Sequence, residues 1–194
     1  MAILRDCAFA PLARSIGPML KEEAFHLFTG QSGLARVLKA GKIPLDIIQK
    51  YLNKWLSTGQ DLLGKDCSGS ANRFYRWGFK SRFDEEVAKA PPRDLDRLNE
   101  EARSLYYKEC SDIIDMLNHH AVEGKRNLRA PDPKFNRRIG AFAGKPYSVD
   151  GQVLSAANYE QHLTLVLPQP QDLERLSAVT RDPDWVVGAQ EAAR

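Results

Sequence analysis

Residues 11–40, "PLARSIGPMLKEEAFHLFTGQSGLARVLKA", constrain the fold of this chain more than any other stretch. At the helical advance of about 100° per residue, Leu12, Ile16, Met19, Leu20, Leu27, Gly30, Leu34, Val37 and Leu38 fall on one side. The pattern predicts one long helix or a kinked pair. Pro11 suits a first helical position, and Gly41 followed by Pro44 closes the segment. Pro18 is expected to kink it, and Gly30 and Gly33 to weaken it. Phe25 and Phe28 occupy the opposite side, so the helix is expected to be surrounded by protein.

Two polar residues sit within that apolar stripe. Glu23 lies near its middle and His26 follows beside it, one turn on. Burying an ionised carboxylate is costly, so such a group is normally paired or bound to a metal. Glu-x-x-His at (i, i+3) aims a carboxylate and an imidazole at one point. Two copies of that motif, with a carboxylate from each of two further helices, build the di-iron site of ferritin-like bundles. A single copy is a short pattern that also occurs on solvated helix faces, and it holds only part of a two-metal site. The other histidines do not complete it. Met116 and Leu117 stand three residues before His119 and His120, and His162 follows Glu160 at i+2. These three histidines are expected to be solvent-exposed or in loops.

Further helices are expected over 44–57, where Leu45, Ile48, Leu52, Trp55 and Leu56 recur at helical spacing, and across 72–87. The turn-rich "TGQDLLGKDCSGSAN" separates them. After the break at "KAPPRD", Asp94 reads as the N-cap of a helix running to about Asn118, with Leu98, Leu105, Ile113, Ile114 and Leu117 as its apolar positions. The chain thus divides into a helical part, 1–125, and an irregular extension rich in proline and glycine, 126–194. In the extension, Asp150-Gly151 favours a small β-hairpin, and two short helices are expected near 155–166 and 170–180.

Two basic stretches are ambiguous. In "ANRFYRWGFKSRF", residues 71–83, arginines and aromatics interleave, which suits stacking on single-stranded nucleic acid or contact with the phosphates of a coenzyme A thioester. An amphipathic helix with its aromatic side in the core, its arginines pairing with the acidic run at 84–86, is the favoured account. Lys134, Arg137 and Arg138 are read as part of a solvated loop. The net charge of +3 is too small to imply a nucleic-acid partner by itself.

Three cysteines, Cys7, Cys67 and Cys110, lack metal-site spacing and are read as reduced thiols of a cytoplasmic protein. No apolar run approaches the roughly 18–20 residues needed to span a bilayer, and no membrane association is expected. No Gly-rich phosphate loop, nucleophile elbow or zinc signature is present. No residue is therefore assigned a catalytic or cofactor-binding role from spacing alone.

The runs "PLARSIGPMLKEEAFHLFTGQSGLARVL", "LNKWLSTGQDLLGKDCSGSANRFYRWGFKSRFDE" and "LRAPDPKFNRRIGAFAGKPYSVDGQVLS" resemble the C-terminal half of the oxygenase component of the benzoyl-CoA 2,3-epoxidase family, which is related to the phenylacetyl-CoA epoxidase catalytic subunit. The resemblance covers about residues 10–165 and implies a mainly α fold: a partial ferritin-like bundle with an irregular C-terminal extension. It implies a di-iron monooxygenase that uses dioxygen to epoxidise the ring of an aryl-CoA substrate in aromatic catabolism. Electrons come from a separate reductase component carrying FAD and an iron–sulfur centre and using NADPH. Carried over by position, Glu23 and His26 match the family's second Glu-x-x-His and become iron ligands. Glu22 has Phe25 at i+3 and does not match. The family's first Glu-x-x-His and its other two carboxylate helices lie upstream of anything matched here. Three accounts are therefore open: a truncated product, one half of a split oxygenase completed by a second chain, or a dimer sharing a site. A non-catalytic interaction module, a metal-storage or peroxide-handling protein, and single-stranded nucleic-acid binding through residues 71–83 are the competing functions, with no nucleic-acid partner expected on the oxygenase reading. On the oxygenase reading, the chain alone is expected to show little or no activity.

Overall fold

The computed structural model describes residues 4, 5, 7–65, 68–79, 98–121 and 127–187. It is mainly helical. The described helices are α1 (Ala10–Ala40), α2 (Leu45–Leu62), α3 (Gly69–Arg76), α4 (Leu98–Asn118), α5 (Ala156–Val166) and α6 (Pro170–Thr180). Among the described residues there is no strand, only one antiparallel bridge between Tyr147 and Val153. The chain forms two compact units, Met1–Gly30 with Lys65–Glu101, and Gln31–Gly64 with Ala102–Arg194.

In the first unit, α1 continues through Pro18 as a single helical element. Ile16 is buried, but every residue from Lys21 to Gly30 is exposed. The expectation of a helix surrounded by protein on all sides is therefore corrected for this segment: within the chain its apolar side chains meet solvent. Phe74, Trp77 and Phe79 also depart from expectation. Phe74, Trp77 and Phe79 pack mainly edge-on against one another, with Phe9 edge-on to Phe79, and Phe74 and Trp77 remain exposed rather than entering an aliphatic core. Cys67, the acidic run at 84–86, the Asp94 cap and the remainder of the helix expected to reach 87 lie outside the described residues.

The second unit is built on α2. Ile48 buries against Leu38, Ile114, Leu117, Ala121 and Leu128, while Leu45, Leu52, Leu56 and Ile113 pack around that cluster. Trp55, expected in the core, is 60% exposed and carries the Lys54 ammonium over its ring. Leu105 is likewise exposed.

Helix α2 also runs five residues beyond the expected end at 57. A second, polar face explains the extension: Asn53, Ser57 and Gln60 are all buried. Gly59 fits there because a Cβ would collide with the Tyr106 side chain of α4. At the end of α2, the buried Arg103 donates to the carbonyls of Gln60 and Gly64, supplying a cation where helix carbonyls are left unpaired. Tertiary packing thus overrides the turn propensity of "STGQD".

The segment 127–155 is irregular but tightly held. Phe135 is fully buried. Arg137, read from sequence as part of a solvated loop, has a side chain only 2% exposed. Its Nε donates to Asp61 of α2 at 2.7 Å, and its other guanidinium nitrogens donate to the carbonyls of Pro133 and Ile139. Asp61 also accepts the backbone N–H groups of Arg138 and Ile139. The loop closes on α2 through this buried pair because a lone guanidinium could not be buried.

The anticipated hairpin survives as a tight turn. The N–H of Ser148 donates to the Gln152 carbonyl, and Gly151 adopts φ +80° with the Asp132 carboxylate packed where a Cβ would stand. His162, expected in a loop or in solvent, instead lies in α5. Its Nε2 accepts the Val149 N–H at 2.9 Å and its ring meets Phe135 edge-on. His119 and His120 are exposed.

The two short terminal helices fall at 156–166 and 170–180 as expected. A capping box between Gln169 and Asp172 starts α6. Lys50 reaches Asp172 at 2.8 Å and Arg175 reaches Asp46 at 2.9 Å, fastening α6 to α2. No helix of the described residues is long and apolar enough to cross a membrane.

Candidate metal centre

Glu23 and His26 occupy the exposed part of α1. A separation of three residues places two side chains on neighbouring positions of one helical face. Here the His26 Nδ1 stands 3.9 Å from Glu23 Oε2, with the side chains 68% and 55% exposed. That distance is too long for a hydrogen bond, and both groups keep lone pairs free for a further ligand. Around them Met19, Phe25, Leu27 and Phe28 are also exposed. The structure therefore brings the two sequence-selected donors together but does not bury them.

An oxygen donor beside an imidazole suits iron in chemical type. The number of donors is the limit. Among the described residues, no group of three or more histidine, cysteine, aspartate or glutamate side chains is placed to hold a metal ion. The pair fits one edge of a coordination sphere and does not amount to a two-metal site, so no reaction step is derived through iron.

Several other titratable groups serve the fold. Asp172 is held below the ordinary carboxylate range chiefly by its hydrogen bond from Lys50, then by the Gln169 N–H. Asp46 is lowered chiefly by hydrogen bonding from Arg175. Burial pushes the Cys110 thiol and the Tyr106 hydroxyl up, which keeps both protonated and unreactive. Cys7 is buried as a free thiol that donates to the Phe9 carbonyl. Sequence reasoning had no means of pairing Asp61 with Arg137 or Asp172 with Lys50, because partners 76 and 122 positions apart carry no local signal.

The described residues define a mainly helical protein presenting one carboxylate–imidazole pair on an open helical surface. No protein-family model matches the sequence. Benzoyl-CoA oxygenase component B of Aromatoleum evansii is 32% identical over an alignment of 216 positions, spanning 89% of this chain and 46% of that protein. The chain is a benzoyl-CoA oxygenase-related protein, and it spans about half the length of the curated relative it matches.

Proposed function

We propose that this chain is one component of an oxygenase acting on an aryl-CoA thioester, in which Glu23 and His26 supply one Glu-x-x-His half of a di-iron site. The observation that carries the reading is the pair itself: it lies within the region related to benzoyl-CoA oxygenase component B, in a helix whose apolar side chains are exposed. A component designation in the relative implies an assembly of more than one part. A separate reductase using NADPH, FAD and an iron–sulfur centre fits that requirement, as does a cytoplasmic location. Bound iron would supply dioxygen activation for epoxidation of the ring.

The chain's own contribution is positional. Glu23 offers a carboxylate that tolerates a change of metal charge, and His26 offers a neutral nitrogen from the same face. Met19 and Leu27 on the side of the pair, and Phe25 and Phe28 on the opposite side, present apolar surfaces against which further helices would dock, those beside the pair excluding water from the donors. The described residues offer no third donor beside the pair, so the remaining ligands come on this reading from further helices, of a second chain or a longer polypeptide.

Iron analysis tests this directly. The purified chain should hold well under two irons per molecule and lack aryl-CoA turnover. The chain joined with helices carrying a second Glu-x-x-His should bind two, and Glu23→Ala or His26→Ala should lower that content and abolish turnover. Full iron loading and turnover by the chain alone, or unchanged iron content in both variants of the complex, would overturn the assignment. A non-catalytic interaction module is the second reading, favoured by the exposed apolar face. It predicts tight association with such helices and no iron in the complex.

A further inference from the structure

A cleft of about 320 Å³ lies in the second unit, between one face of α2, the start of the 127–155 segment, the hairpin turn and the end of α5. Its volume is at the lower end of the range for small-molecule sites, with room for about ten water-sized groups. The floor is cross-linked by hydrogen bonds within the chain. Gln49 Nε2 donates to the Arg129 carbonyl and to Asn53 Oδ1, each at 2.8 Å, while the Arg129 N–H donates to Gln49 Oε1 at 2.9 Å. Asn53 Nδ2 then donates to the Val166 carbonyl. The Gln49 and Asn53 amides are thus committed to the fold.

The charges divide unequally. Lys50 is paired with Asp172 and Asp46 with Arg175, so the inner ionic groups compensate one another. Arg129 differs. Its backbone is clamped on both sides by Gln49, yet its exposed guanidinium has no carboxylate partner among the described residues. Ala130, Val149, Leu165 and Val166 supply apolar lining to the same cleft. Asp150, at the hairpin turn, adds an exposed negative charge to the lining.

We propose that this cleft binds a small amphipathic monocarboxylate, with the carboxylate paired to the Arg129 guanidinium and a short apolar tail laid against Val149, Leu165 and Val166. A planar fork on a fixed backbone matches a carboxylate in two-point geometry. The Asp150 charge disfavours dianions, so phosphate groups are selected against. The site uses none of the residues assigned to metal.

The test is a titration of the full chain, followed by amide chemical shifts, with hexanoate, its neutral isostere hexanamide, and inorganic phosphate. Hexanoate should saturate in the millimolar range expected of so small a ligand. Hexanamide should bind at least about tenfold more weakly, as loss of a charged hydrogen-bonded pair implies. Arg129→Gln should weaken hexanoate by a similar factor while leaving hexanamide binding unchanged, with Arg129→Lys between. Because the backbone of Arg129, and not its side chain, makes the clip to Gln49, the Gln variant is expected to fold, which circular dichroism checks. Should it not, the comparison of hexanoate with hexanamide on the unaltered protein still decides. Equal binding of acid and amide, phosphate binding as tightly as hexanoate, an unaffected Arg129→Gln, or no saturation with hexanoate would each overturn the proposal.

Discussion

Removing the Asp61 carboxylate should cost this chain a substantial share of its stability. In Asp61→Ala, the Arg137 guanidinium keeps its bonds to Pro133 and Ile139 but loses the anion 2.7 Å from Nε. Arg137 is 2% exposed, so its charge stays buried and uncompensated, whereas Asp61 at 13% leaves a narrow path for water. Breaking a buried pair from one side costs about 3–5 kcal/mol, and partial water entry puts the expectation near the lower end, about 3 kcal/mol. Domains of this kind hold only about 5–15 kcal/mol in total. Urea denaturation followed by far-UV circular dichroism would read the change as a lower midpoint at similar slope. The double variant Asp61→Ala/Arg137→Met removes the stranded charge and should recover most of the loss, to within about 1 kcal/mol of the parent. A loss below about 1 kcal/mol in the single variant, or a double variant no more stable than the single, would refute the argument that an uncompensated charge dominates.

Other perturbations probe separate parts of the fold. Leu117→Ala, in the cluster with Leu38, Ile48 and Ile114, should cost about 2–5 kcal/mol by thermal or urea unfolding. Gly151→Ala must force a left-handed residue and displace the Asp132 carboxylate, so it should destabilise by about 2–4 kcal/mol. Gly144→Ala has a similar φ but open space and should cost only about 1–2 kcal/mol, so equal losses at both sites would show that contact with Asp132 is immaterial. Acid should release α6 first. Asp172, Asp46 and Asp182 are all lowered below the ordinary 3.8, so their contribution is complete above that value and is lost as pH falls through the lowered folded values. Amide resonances of residues 170–185 should shift below pH 3.8 ahead of those of the Ile114–Leu117 core, and synchronous loss of both would contradict the order.

Local pattern was sufficient for much of the helical framework. The 3.6-residue recurrence of Ile48, Leu52 and Leu56, and of Ile114 and Leu117, follows from a geometry each segment carries by itself. The spacing of Glu23 and His26 likewise put both donors on one face of α1, since any helix would do so. Periodicity says which side chains share a face, however, and not what covers that face. Residues 21–30 form the expected helix and are nevertheless exposed, and Trp55 and Leu105 fit their stripes yet meet solvent. The reverse holds for the polar residues. Arg137 reads as a loop residue in solvent and is buried, as are Arg103, Asn53 and Asp172, because each finds a hydrogen-bonding partner from a distant segment that offsets its desolvation. Those pairings, together with the length of α2 and the seat of His162, depend on contacts between residues tens of positions apart. Sequence alone determined most of the helices and the shared face of Glu23 and His26, and tertiary structure decided their cover and their ionic fastening, because burial and long-range pairing are properties of the assembled chain.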